Sequence, residues 1–106
     1  MMIAITTVYK ESDANKIARE LVERKLAACV SVFPAQSTYY WKGKIEEKQS
    51  EFMLIIKTLE EKISDVIEYL KHNHPYTVPE IVTIKAEAHG KYVDWMVSYL
   101  LGVESP

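Results

Sequence analysis

An α+β domain with a double βαβ chain order is the fold class this sequence predicts, and three observations predict it. Short β-branched runs alternate with two stretches of helical periodicity. A turn signal, Lys42-Gly43-Lys44, joins the two halves through a hairpin. One further amphipathic stretch follows the last strand. At 106 residues the chain has room for one domain, residues 1–106, which buries roughly two-thirds of its unfolded surface.

The elements follow in order. Residues 3–8 are β-branched and apolar and read as a first strand. Ser12 is a good N-cap ahead of Asp13, and Ala14, Ile17, Ala18, Leu21 and Val22 keep one face apolar, so a helix is expected from there to about Lys25. Residues 28–33 read as a short strand closed by Pro34, which lacks the N–H a central ladder needs, with a loop around Ala35. Residues 36–41 are aromatic and β-prone, and with residues 45–57 they form a long hairpin. Thr58 and Glu61 have capping-box spacing ahead of the stripe Ile63, Val66, Ile67 and Leu70, which predicts a second helix running to about Lys71. Residues 72–79 are a loop stiffened by Pro75 and Pro79, and residues 81–86 are another strand. Gly90 marks a break, and Tyr92, Val93, Met96, Tyr99 and Leu100 form a terminal helix that Gly102 stops.

This order is the ferredoxin-like double βαβ pattern, an antiparallel sheet with two helices on one face, plus a C-terminal helix. The strands at 52–56 and 81–84 are apolar at consecutive positions, as in strands covered on both faces. The terminal helix covers part of the second face in this reading. Neighbouring copies are expected to cover the rest, because a bare apolar patch above roughly 300–600 Å² is uncommon on a monomer.

Composition narrows the partners. Lys and Arg number 13 against 15 Asp and Glu, so no concentrated basic face is expected and nucleic acid is not a predicted partner. No run of about 18 apolar residues is present, so no membrane-spanning helix is expected. The first residues lack a basic leader followed by a signal-type apolar core. Cys29 is the single cysteine, which excludes an intrachain disulfide and fits a reducing compartment; the expected location is cytoplasmic.

Three segments carry candidate chemistry. His72, His74, Tyr76 and Glu80 gather on the proline-stiffened loop, where an H-x-H pair can share a metal, although histidine is also favoured at helix C-termini by the dipole. Cys29 reads first as a small buried hydrophobe, and as a functional thiol only if an imidazole or cation stands beside it. Residues 37–44 interleave aromatics with lysines, but Glu46, Glu47 and Glu51 nearby oppose a phosphate backbone, and the aromatics fit a sheet or subunit interface better. No glycine-rich phosphate loop, Ser-His-Asp order or carboxylate pair in an apolar frame stands out, so an enzyme is not expected.

Taken together, Leu26-Ala27-Ala28-Cys29-Val30, Tyr40-Trp41-Lys42-Gly43-Lys44-Ile45, Lys57-Thr58, His74-Pro75-Tyr76 with Val78-Pro79-Glu80-Ile81, and Tyr92-Val93-Asp94-Trp95 resemble the CutA family of divalent-cation tolerance proteins, in order over nearly the whole chain. The resemblance implies a ferredoxin-like homotrimer related in architecture to PII-like signalling proteins, with edge strands paired between subunits. It also implies a role in the response to divalent metal ions, with copper bound in some members by a thiol near the first strand and histidines before the Pro-Tyr. Here His74 matches the last of those histidines, Asn73 precedes it, and Thr6 stands at the thiol position. The metal candidates are therefore His74, His72 and Cys29, holding copper or another divalent cation weakly, because softer ligands have been lost. The alternative is a cleft between subunits, lined by Lys57, Tyr76, Glu80, Trp41 and Glu51, that binds a small ligand as in PII-like proteins.

Overall fold

Residues 1–103 are described in the computed structural model. Strand β1 (Met2–Val8) leads into helix α1 (Glu11–Glu23), then strands β2 (Cys29–Trp41) and β3 (Lys44–Thr58), helix α2 (Glu60–Asn73), strand β4 (Val82–Lys85) and helix α3 (Lys91–Leu101). The four strands form one antiparallel sheet in the order β2-β3-β1-β4. This is the ferredoxin-like α+β arrangement read from the sequence.

Three boundaries differ from the sequence reading. Pro34 does not end a strand: β2 runs through it, pairing Pro34 with Phe52. The reason is position, since β2 is an outer strand and needs a ladder donor on one side only. Thr58 does not cap α2, whose N-cap is Leu59. Thr58 belongs to β3 opposite Met2, and its buried hydroxyl donates to the Leu26 carbonyl at 2.6 Å. Helix α1 likewise begins at Glu11, with Lys10 rather than Ser12 at its N-cap. It closes in a Schellman arrangement: the Leu26 N–H donates to Leu21 and the Lys25 N–H to Val22, with Lys25 in the left-handed region at φ 56°.

One face of the sheet carries the core. Ala4 and Val8 of β1 and Leu54 and Ile56 of β3 pack against Ala14, Ile17 and Leu21 of α1 and Val66, Tyr69 and Leu70 of α2. Helix α3 builds a second cluster at one end of the sheet, where Met96 and Leu100 meet Ala28 and Leu59. The Tyr99 hydroxyl ties α3 to α1 by donating to the Val22 carbonyl at 2.6 Å.

The reverse face is apolar and open. Cross-strand partners share a face, so Ile3 and Ile5 of β1, Met53 and Ile55 of β3, Phe33 of β2 and Val82 and Ile84 of β4 lie together there. The first four are half-buried, whereas Phe33, Val82 and Ile84 are 41–46% exposed. Strand β4 was expected to be covered on both sides; in one chain it is an edge strand, exposed along its length.

Beyond the core, β2 and β3 continue as a long arm that helps give the molecule its 54 Å length against 25 and 21 Å in the other directions. Its two-residue turn places Lys42 and Gly43 at φ 48° and 88°, the left-handed pair that hairpin twist demands. A register shift between Ser37 and Tyr39 bends the arm, and Thr38 Oγ1 accepts the Lys48 N–H there.

Candidate functional site

The site is organised by the loop after α2. The Tyr76 N–H donates to His74 Nδ1 at 3.0 Å, so Nδ1 is the acceptor and the neutral ring carries its proton on Nε2. That nitrogen lies 2.9 Å from both the Thr7 carbonyl and Thr6 Oγ1. Burial lowers the His74 pKa from its ordinary value, against smaller opposing effects of the Thr7 hydrogen bond and the charges of Glu51 and Asp13. Desolvation thus favours the uncharged ring that this bonding pattern needs.

His74 thereby orients Tyr76. The two rings meet edge to face with centroids 4.8 Å apart, and Tyr9 stacks on the Tyr76 ring at 6.2 Å. The Tyr76 hydroxyl donates to Glu51 Oε2 at 2.7 Å. Burial and then the Glu51 contact push the Tyr76 pKa up, so it remains a proton donor. Glu51 itself is only 8% exposed.

Above this chain of contacts opens a cleft of about 810 Å³. Residues 37–41 of the arm form one wall, residues 75–78 the other, and Thr7, Glu51 and Glu80 also line it. Partial burial, and secondly the charge of Glu51, raise the Glu80 pKa above the usual carboxylate value.

The sequence candidates divide into three places. Trp41, Glu51, Tyr76 and Glu80 come together in the cleft. Within one chain Lys57 is apart from them: it lies six residues from Glu51 along β3, about 20 Å away, with its ammonium donating to Ser31 Oγ at 3.1 Å and standing 3.8 Å from the Cys29 sulfur. The cation that a functional thiol would need is therefore present beside Cys29, in place of an imidazole. Tyr92 adjoins the same thiol; burial first and Cys29 second raise its pKa.

The three metal candidates are not gathered. His72 sits on the exposed end of α2, with Nε2 3.4 Å from Glu68. Cys29 is on the reverse face, two strands and three rungs from Thr6, each offset being about 10 Å. His74 meets Thr6, at the position where the resemblance places a thiol, and both of its ring nitrogens are engaged. Among the described residues no three His, Cys, Asp or Glu side chains stand close enough to hold a metal together. These residues do not make a preformed copper site in one chain.

Two contributors escaped the sequence reading. Thr7 supplies the carbonyl that holds His74 and lines the cleft; nothing in its type or spacing signals this. Tyr9, an exposed aromatic directly after the first strand, is a faint signal of the stack with Tyr76.

Comparison with known proteins agrees with this architecture. Residues 2–99 match the family described as CutA1 divalent ion tolerance protein. A CutA homolog from Xenopus laevis is 45% identical over 88% of this chain and 62% of its own length, so the chain spans less than two-thirds of that relative. The divalent-cation tolerance protein CutA of Thermus thermophilus is 43% identical over 89% of this chain and 92% of its own. Among solved structures, CutA from Synechococcus elongatus superposes with a TM-score of 0.89 at 37% identity, covering 93% of this chain and 88% of that one. CutA from Archaeoglobus fulgidus, described as periplasmic, gives 0.88 at 39% identity over 94% and 99%. With a family match from Met2 almost to the end of α3 and relatives this similar across most of their length, the chain belongs to the CutA1 divalent ion tolerance protein family.

Proposed function

We propose that this chain works as a non-enzymatic homotrimer in the response to divalent metal ions, copper among them, in the cytoplasm. The observation that carries the assembly is the reverse face, where Ile3, Ile5, Ile55, Phe33 and Ile84 form an apolar surface that α1 and α2 leave uncovered. Burial of such a surface is the main drive for association of identical chains. The metal role is supported by relatives named as divalent-cation tolerance proteins, and none of those names an enzyme activity. The free Cys29 supports a reducing location.

Copper contact at His74 is proposed as weak. A metal there must displace the Tyr76 N–H or the Thr7 carbonyl, and it meets the Thr6 hydroxyl in place of a thiolate. Calorimetric titration with Cu(II), repeated on His74→Ala, tests this: heats falling in the variant support the contact, and equal heats remove His74 from the site. Sedimentation at micromolar concentration tests the assembly, and a monomer there refutes it.

The cleft favours a second reading, that the protein binds a small ligand and signals its occupancy. Its volume of about 810 Å³ falls within the range of roughly 300–1,000 Å³ common for small-molecule sites. A search by mass spectrometry for molecules that co-purify with the protein tests it.

A further inference from the structure

The lining that one chain gives the cleft is acidic and aromatic. The sequence places Lys57 with Glu51 and Glu80 in a cleft between subunits; within one chain the lysine is about 20 Å from Glu51 along β3 and bonded to Ser31. The lining supplied by one chain contains no Lys, Arg or His. It contains two carboxylates, the rings of Tyr39, Tyr40, Trp41 and Tyr76, and threonine and serine hydroxyls.

We propose that the cleft binds a small organic cation, an ammonium-bearing molecule whose charge is taken by Glu51 and Glu80 and whose carbon skeleton lies against the aromatic wall. This deepens the small-ligand reading above and does not depend on the copper contact.

Three arguments lead to that ligand class. An anion is disfavoured because Glu51 is more than nine-tenths buried and its hydrogen-bond partner, the Tyr76 hydroxyl, is neutral; a second negative charge beside it meets repulsion without water to screen it. The raised pKa of Glu80, due in part to Glu51, reports the same repulsion inside the protein. A bare divalent cation fits less well, because hard cations take six or more oxygen ligands and no third acidic or imidazole group joins the two carboxylates among the described residues. An ammonium needs only a few acceptors and gains further from aromatic faces. Lys42, outside this lining, has its Nζ 5.5 Å from the Trp41 ring centroid, so an incoming ammonium must use the remaining ring faces or displace that side chain.

The site is also held in place before any ligand arrives. His74 fixes the Tyr76 backbone, Tyr9 and His74 hold its ring, and the Tyr76 hydroxyl fixes one oxygen of Glu51. Little ordering is left for the ligand to impose.

The test is calorimetric titration of the intact protein at neutral pH and low salt with choline chloride and with putrescine dihydrochloride, and with sodium glutamate and magnesium chloride as the contrary charge and the bare metal. Saturable binding of at least one amine is expected, weakened about tenfold by Glu80→Gln and by Trp41→Leu. Both side chains are exposed in the single chain, so folding survives, and circular dichroism of each variant verifies it. No saturable binding of either amine up to about 10 mM, an affinity unchanged in either variant, or tighter binding of glutamate or magnesium overturns the proposal. An anionic or neutral molecule that co-purifies in the cleft refutes the charge class while leaving the small-ligand reading standing. Sedimentation of the same samples reports on the assembly separately.

Discussion

The phenol of Tyr76 and the carboxylate of Glu51 are joined by a 2.7 Å hydrogen bond that links the loop after α2 to the middle of β3. Glu51 is buried and belongs to a strand, whereas Tyr76 belongs to an irregular segment between two prolines. The bond therefore sets where the loop sits on the sheet.

Tyr76→Phe removes the donor and leaves a buried carboxylate short of a partner. Loss of a hydrogen bond to a charged group of this kind costs about 2 kcal/mol. The expected result is a lower denaturant midpoint with an unchanged slope. Glu51→Gln keeps an acceptor for the phenol and should cost less. If Tyr76→Phe unfolds at the same denaturant concentration as the parent, the bond does not anchor the loop.

His74 makes stability depend on pH. Its folded-state pKa lies below the ordinary imidazole value, chiefly through burial. Above about pH 6.5 the ring is neutral in both states and the native bonds to Tyr76 and Thr7 are intact. As pH falls below that value the unfolded chain takes up a proton that the folded chain resists, so stability declines with falling pH. Denaturant midpoints measured from pH 7.5 down to about pH 5 should drop in the parent and drop less in His74→Gln. Glu80, raised in the folded state, has the opposite sign: its contribution improves as pH falls through its folded pKa toward the ordinary carboxylate value. An unchanged slope in His74→Gln would assign the pH dependence to other groups.

The period of the side chains made most of the fold legible. Ala14, Ile17 and Leu21 at helical spacing, and residues alternating in and out along β3, place α1 and the sheet without reference to any partner. Strand order was harder to read, and the errors came from it. Pro34 reads as a terminator until β2 is known to be an edge, and Thr58 reads as a cap until β1 is known to pair with it. The site was legible as a loop of unusual residues, His74, Tyr76 and Glu80. Its wiring was not, because Glu51 and Thr7 reach it from strands 25 and 67 positions away. Lys57 is a different case: it stands six positions from Glu51 on the same strand, a span of about 20 Å that strand rise alone gives, so one chain cannot bring both to one cleft.

Thr58 provides a test of that correction. As a cap, its loss would act on the first turn of α2; as a buried donor to Leu26, its loss acts on the connection between α1 and β2. Thr58→Val keeps the volume and β propensity while leaving the Leu26 carbonyl without its partner. A destabilisation of about 1–2 kcal/mol is expected, with amide exchange accelerated around residues 24–28 and unchanged at residues 60–63. Acceleration confined to the start of α2 would restore the capping role.

The reverse face gives the most direct prediction about assembly. Phe33 and Ile84 are 41% and 46% exposed in a single chain, so replacing either by Asp removes few contacts within that chain. Any large effect must come from contacts with other chains. Burying an uncompensated carboxylate in an apolar interface costs several kcal/mol, and symmetry repeats that cost in every subunit. Phe33→Asp and Ile84→Asp should therefore reduce the mass measured by light scattering at micromolar concentration while leaving the far-ultraviolet circular dichroism of the fold in place. Ile56→Asp, on the helix-covered side, is the control: it should unfold the chain outright, because Ile56 is fully buried within one subunit. An assembly that keeps its mass with both Phe33→Asp and Ile84→Asp would show that this surface faces solvent, and the homotrimer proposed from it would have to be abandoned.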